Sequence, residues 1–79
     1  MRLKVNGSEK VLYDEEVYGF KVRAMDGELV CLNGHMDYLS LLQKGELVVL
    51  SELLSPLKTV PLAQDFILMI EKNTATLFS

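Results

Sequence analysis

The sequence predicts an all-β fold, a flattened β-sandwich or barrel of about ten short strands in two sheets. Short apolar segments recur at intervals of roughly 8–12 residues, as in sandwiches and barrels. Apolar and polar residues alternate with a period of two through Val17–Arg23, which a helix would not produce. The pairs Asp26-Gly27 and Asn33-Gly34 favour tight turns, because glycine and, less readily, Asn and Asp tolerate positive φ.

Four strands are predicted in the first part of the chain. Leu3–Val5 alternates apolar residues with a lysine, as a half-buried strand does, and Lys10–Tyr13 forms a short strand ending at the acidic residues that follow. Val17–Arg23 follows with its period of two. Leu29–Leu32 is short and continuously apolar, which predicts a strand covered on both faces.

The second part of the chain contains five more segments. Met36–Gln43 is compatible with a helical face, but Lys44-Gly45 stops it at once, so an irregular turn or a short strand fits better. Glu46–Leu50 is another apolar strand. Leu57–Val60 lies between two prolines, which predicts a position at a sheet edge. The closing strands and the hairpin turn between them are predicted at Phe66–Ile70, Glu71–Thr74 and Ala75–Phe78.

Length and composition predict one small domain, residues 1–79. A chain of 79 residues buries only about 60% of its unfolded surface, so its stability will be modest unless a partner adds to it. A net charge of −3 with scattered charges offers no basic face to nucleic acid or anionic lipid. Cys31 has no partner for an internal disulfide, and no apolar run is long enough for a signal peptide or a membrane span. We therefore expect a cytoplasmic soluble protein.

No enzyme site is evident from the residues. Cys31, His35 and Asp37 are close in sequence, but zinc needs three or four well-placed ligands and no second Cys-His pair exists, so no metal is expected. His35 is the only imidazole and lies at a turn, where an exposed or interface histidine is the simpler interpretation. No phosphate-binding glycine loop occurs, so no cofactor is expected.

The segment from Gly27 to Leu39 resembles the epsilon subunit of F-type ATP synthases. That family carries Gly-Glu-(Leu/Phe)-Gly-(Ile/Val)-(Leu/Tyr)-Pro-Gly-His-Ala-Pro-Leu-Leu. The residues that fit it without a gap are Gly27, Glu28, Leu29, Leu32, Gly34, His35 and Leu39. Weaker similarity extends over nearly the whole chain. Asn33 replaces the family's first proline and Met36-Asp37 its Ala-Pro, which predicts a less rigid loop, and Gln64-Asp65 stands where the family has Gly-Gly.

The resemblance implies a non-catalytic N-terminal β-sandwich domain at the foot of the central stalk. Such a rotor subunit docks on the gamma subunit and contacts the c-ring, coupling proton translocation to ATP synthesis. Carried over by position, Glu28 faces the ring, and Gly34, His35 and Ser40 are partner-contact residues of which His35 and Ser40 face gamma. The implied location is the cytoplasmic face of the bacterial inner membrane, as a peripheral part of the complex.

Family members continue into a two-helix C-terminal hairpin that is absent from these 79 residues, so we expect no inhibition of the rotor by such helices. Two other functions stay open. One is a free-standing β-sandwich adaptor that binds a peptide by strand addition at an open edge. The other is a hydrolase that uses His35, for which no substrate suggests itself.

Overall fold

A computed structural model describes residues 1–79 and consists of nine β-strands joined by short turns, which confirms the predicted fold class. The strands are β1 Arg2–Asn6, β2 Val11–Glu16, β3 Gly19–Ala24, β4 Gly27–Leu32, β5 Tyr38–Leu42, β6 Gly45–Leu50, β7 Pro56–Leu62, β8 Phe66–Glu71 and β9 Thr74–Phe78. No helix in the structure has the length and apolar character to cross a membrane.

The strands follow one hydrogen-bonded path that folds into two layers. Its order is β2-β1-β9-β8-β5-β3-β6-β7, with β4 on the other side of β3. β3 and β5 meet only at Ala24 and Leu42, so the path divides there. The first layer is β2-β1-β9-β8-β5 and the second is β4-β3-β6-β7. All pairings are antiparallel except β1–β9, which joins the two ends of the chain in parallel.

The core lies between the layers and is apolar throughout, because no polar or charged side chain is buried. Alternation produces it: in β1 the side chains of Leu3 and Val5 are buried while Lys4 is exposed, and in β3 Phe20 and Val22 are buried. The largest fully buried side chains are Phe20, Leu3, Leu42, Leu47, Leu68, Ile70, Leu77, Val5 and Cys31.

Two predicted features of the later strands are confirmed. Lys72 and Asn73 form a two-residue turn between β8 and β9 with φ values of 50° and 60°, and two consecutive positive φ values are the signature of a type I′ hairpin. β7 ends the strand path with Pro56 and Pro61 inside it, so it is the edge strand that the prolines predicted.

Three predictions about individual strands need correction. β4 is not covered on both faces: Cys31 is fully buried but Val30 is 42% exposed, because β4 pairs with β3 alone and only one of its faces meets the core. β2 does not stop at the acidic residues but continues to Glu16, since β1 pairs with it along that length. The turn after β3 is Met25–Asp26, and Gly27 (φ 135°) is already in β4, paired with Ala24.

Candidate partner-binding surface

The sandwich has two ends, which we name after the residues predicted to make contacts there. β4 runs from the Glu28 end, which also contains the turn Gln43–Lys44, to the His35 end, which also contains the connection Ser51–Ser55 and the turn Lys72–Asn73. At about 3.3 Å per residue, six residues of β4 separate the two ends by roughly 17 Å. The structure therefore does not gather Glu28 and His35 into one site.

Glu28 lies on the outer surface of the second layer, which is polar. Its Oε2 is 3.8 Å from Lys21 Nζ, and its register partner is Arg23. Both members of the Lys21–Glu28 pair are solvent-exposed, so the attraction is worth well under about 1 kcal/mol. Glu28 is thus available to a partner at little cost in stability.

Gly34 and His35 lie in a tight turn that follows β4. The His35 amide donates to Leu32 O at 2.9 Å, and Gly34 has a φ of 85°, the positive value that the third position of a type II turn requires. His35 is half-buried, with its ring edge-on to Tyr38 at 5.7 Å between centroids. Its Nδ1 is 2.7 Å from Met36 O, an acceptor only, so Nδ1 carries the proton in this contact.

Asn33 and Asn73 fasten this turn to the rest of the molecule. Asn33 Oδ1 accepts from the Met1 amino group at 2.7 Å and from Asn73 Nδ2 at 3.0 Å, while Asn73 Oδ1 accepts from the Gly34 amide at 2.8 Å. Asp37 Oδ1 accepts from the Lys72 amide at 3.1 Å. The loosening expected from the missing prolines stays a prediction, but four side-chain hydrogen bonds now hold the loop from outside it.

The backbone of Asn33 also explains why a proline does not suit this position. Its amide donates to Tyr18 O at 2.6 Å, a bond that proline cannot make. Sequence reasoning also missed the role of the Asn33 side chain, because its partners Met1 and Asn73 lie 32 and 40 residues away and leave no local signal.

Ser40 lies on the inner face of β5. It pairs with Leu68, which is fully buried, and its Oγ makes only a long 3.3 Å contact with Leu41 O. The side chains of Leu39 and Leu41 point outward instead, because side chains alternate along a strand. A direct contact of Ser40 with a partner stays a prediction.

The outer surface of the first layer carries an apolar face that sequence reasoning did not identify. Leu39 pairs with Met69, and Leu41 pairs with Ile67, which in turn pairs with Phe78. Leu39 is 68% exposed and Leu41 58%. We call these five residues the apolar face: Leu39, Leu41, Ile67, Met69 and Phe78. The signal was the run of β5, Tyr-Leu-Ser-Leu-Leu, which is apolar at the outward positions as well.

The residues weighed for a metal site are not brought together. Cys31 is buried in the core, and burial raises the pKa of its thiol to about 11, whereas Asp37 accepts a backbone hydrogen bond at the surface. The structure contains no group of three or more His, Cys, Asp or Glu side chains that could hold a metal ion.

Fold and surface together define a small two-layer β domain with one apolar and one charged outer face. A contiguous exposed apolar face of this kind is typical of protein-interaction sites. No protein-family model matches the sequence, and no curated protein matches it either.

Solved structures do share the fold. A chain in the cryo-EM structure of the Tetrahymena thermophila mitochondrial ATP synthase central stalk and c-ring matches with a TM-score of 0.74 at 18% sequence identity. The match covers 99% of this chain and 61% of that chain, so this chain spans less than two thirds of the length of the protein that it resembles.

Proposed function

We propose that this chain is a non-catalytic rotor subunit of an F-type ATP synthase, equivalent to the N-terminal domain of the epsilon subunit. It docks on the gamma subunit, contacts the c-ring and helps couple proton translocation to ATP synthesis. The observation that carries the proposal is the fold shared along 99% of the chain with a component of a central stalk and c-ring structure. The motif from Gly27 to Leu39 supports the epsilon assignment independently of that comparison.

The apolar face is the proposed gamma-binding surface. An isolated small domain gains nothing by exposing two neighbouring rows of large apolar side chains, whereas a subunit that is always docked buries them. His35 borders this surface through its ring contact with Tyr38, the first residue of β5. Glu28, at the opposite end of β4, is the proposed c-ring contact.

In this arrangement the domain is peripheral, on the cytoplasmic face of a bacterial inner membrane, and meets the membrane only through the complex. The location rests on the sequence resemblance. Gamma and the c-ring are the proposed partners, and neither contact requires a cofactor or a metal.

Binding to purified cognate gamma subunit tests the proposal. Leu41→Asp or Met69→Asp places a charge in the apolar face, and each is expected to weaken binding at least about tenfold, because burial of an unpaired charge is costly. Val30→Asp is the matched control: Val30 is a similarly exposed apolar strand residue, at 42%, on the outer face of the other layer, and its replacement leaves gamma binding unchanged.

Thermal melting provides the second readout. Saturating gamma is expected to raise the melting temperature of the wild-type chain and of Val30→Asp equally, and that of Leu41→Asp by less, because stabilisation by a partner grows with the logarithm of its concentration divided by Kd. No shift with wild type, or equal losses in Leu41→Asp and Val30→Asp, would contradict docking through this face.

A further inference from the structure

The strand path of this sandwich is not closed, and the gap is the feature that the proposed function leaves unused. β2 and β7 are the two ends of the path, so each is hydrogen-bonded along one edge only, as is β4, which pairs with β3 alone away from this gap. A free strand edge presents unpaired backbone N–H and C=O groups and can accept another strand.

An open groove of about 580 Å³ lies at this gap. Its walls come from Tyr13 of β2 and from Leu57 and Lys58 of β7, with Lys58 Nζ 5.8 Å from the centre of the Tyr13 ring. Its floor is apolar and includes the buried residues Val49 and Leu50. The groove is thus a place where the core is reached from solvent between two strand edges.

The charge along β2 is acidic. Asp14, Glu15 and Glu16 are consecutive, and Glu15 and Glu16 line the groove together with Glu52. Asp14 is paired with Arg2 at 2.8 Å and Glu16 lies 3.5 Å from the Met1 amino group, but Glu15 and Glu52 have no cationic group within 4.0 Å. Burial and, after it, the charge of Glu15 raise the pKa of Tyr13, and both residues line the groove.

The two edges are not equally suited to an added strand. Pro56 and Pro61 remove two backbone donors from β7, whereas β2 contains no proline over its six residues. Charged residues on an edge strand often serve to prevent pairing between like copies, and the acidic residues of β2 would oppose a second copy of β2 directly. The same charges favour a basic strand.

We propose that the free edge of β2 binds an extended peptide in which basic and apolar residues alternate. Its backbone adds to β2 as a further strand, its apolar side chains cover the groove floor, and its Lys or Arg side chains meet Asp14 and Glu16 on the outer face. Successive side chains of a strand point to opposite faces, so the apolar residues of an alternating peptide face the groove and its basic residues face outward. The apolar face lies on other strands, so the site is independent of docking on gamma.

A fluorescent heptapeptide, acetyl-Lys-Val-Lys-Val-Lys-Val-Lys-amide, is the probe. We expect the fluorescence anisotropy of the peptide to rise when the full chain is added at low salt. In NMR spectra of the protein, the amide cross-peaks that shift are expected to be mainly those of Val11–Glu16. N-methylation of alternate peptide nitrogens is expected to weaken binding at least about tenfold, because it removes the ladder donors while keeping the charge.

Matched variants test the electrostatic part. Asp14→Asn with Glu16→Gln removes the two outer-face carboxylates and is expected to weaken binding about fivefold or more, since charge complementarity is lost. Glu46→Gln with Glu71→Gln, two exposed carboxylates on other strands, keeps the affinity unchanged. Circular dichroism of both variants establishes that they remain folded, as exposed positions allow.

Three outcomes would overturn the proposal. The first is the absence of binding at about 1 mM peptide, which would mean a dissociation constant too weak for a specific site. The second is equal affinity of the N-methylated peptide, which would mean unspecific charge attraction only. The third is concentration-dependent dimerisation with shifts on Val11–Glu16 in the absence of peptide, which would make a second copy the occupant of the edge.

Discussion

At the scale of single residues, Asn33 bonds to three other parts of the chain through its side-chain oxygen and its backbone amide. Its Oδ1 accepts from the amino group that precedes β1 and from Asn73 in the β8–β9 turn, while its own amide reaches Tyr18 before β3. We expect Asn33→Ala to lower the free energy of unfolding by about 1–2 kcal/mol, because two hydrogen bonds, one of them charged, are lost.

Urea denaturation measures this change. Asn6→Ala is the control, since the Asn6 side chain makes no hydrogen bond within the protein and its backbone pairing is retained. An equal loss in both variants would mean that the effect comes from replacing asparagine as such. Asn33→Pro is expected to cost more than Asn33→Ala, because it also removes the amide bond to Tyr18.

Cys31 provides a pH-dependent prediction at the same scale. The folded thiol ionises only near pH 11, against an ordinary pKa of 9.0, because it is desolvated in the core. The unfolded chain therefore loses this proton first, so the free energy of unfolding falls as the pH rises from about 9 to about 11 and is unaffected below that window. Burial also predicts slow reaction of the native thiol with a disulfide reagent.

The comparison with Cys31→Val isolates the contribution, because tyrosines and lysines titrate in the same range. The stability of the wild type relative to the variant is expected to fall steadily through the window. If it stayed constant, the folded thiol would ionise at the same pH as the unfolded one. Loss of reagent labelling in Cys31→Val confirms that the labelled group is this thiol.

At the scale of elements, the connection between β6 and β7 is an ordered loop that presents leucines to solvent. Ser51 Oγ accepts from the amides of Leu53 and Ser55 at 3.2 Å each, and Ser51 and Ser55 also share a backbone bond of 2.9 Å. Within this frame Leu54 has a φ of 61°, which costs a non-glycine residue about 1–2 kcal/mol.

Leu54→Gly is expected to leave stability unchanged or to raise it by up to about 1 kcal/mol, because relief of the backbone offsets the added flexibility of unfolded glycine. Leu57→Gly is the control. Leu57 is 67% exposed in β7 with ordinary strand backbone, so glycine is expected to destabilise there by about 1 kcal/mol. Equal destabilisation of the two variants in a thermal melt would show that Leu54 is unstrained.

Strands and turns could be predicted where the sequence pattern within the segment itself determines the structure. Val17–Arg23 was identified as a strand because only one of its faces is buried, and Lys72–Asn73 because a two-residue turn has local chemistry. The exposure of Val30 was missed, since a continuous apolar run looks the same whether one face or two are covered. The length of β2 was missed because carboxylates on an exposed edge resemble a turn.

For the candidate site too, the sequence predicted the features that have a local signal and missed those that depend on strand pairing. The motif placed Glu28, Gly34 and His35 on turns or strand ends, and the structure finds them at opposite ends of β4. The apolar face was not found, because it arises from register: Leu41 and Phe78 are brought into one row through Ile67 of a third strand. No spacing within one segment encodes that row.

At the scale of the whole molecule, the two outer surfaces differ in chemistry. The first layer exposes the apolar face, while the second exposes Lys21, Arg23, Glu28 and Glu46. This asymmetry is what the proposed docking through the apolar face requires, with the second layer left hydrated. The unpaired edges of β2 and β7 lie at a third location, so the molecule offers separate surfaces that can be tested one at a time.

The two layers depend on β9, which lies between β1 and β8 and joins the chain's ends in parallel. Ala75 and Leu77 of β9 are fully buried, so removing Thr74–Ser79 takes away core side chains and detaches the β1–β2 hairpin from β8. An isolated two-stranded hairpin is at best marginally stable, and a chain this small has little stability to spare. We therefore expect the truncated chain to lose its amide chemical-shift dispersion and its cooperative thermal unfolding. Removal of Ser79 alone is the control: it removes one side-chain hydrogen bond, to Gln64, and is expected to preserve both properties. A cooperative melt in the longer truncation would mean that β3–β8 fold together without β9. In that case β9 would complete the first layer but would not be needed to form the core.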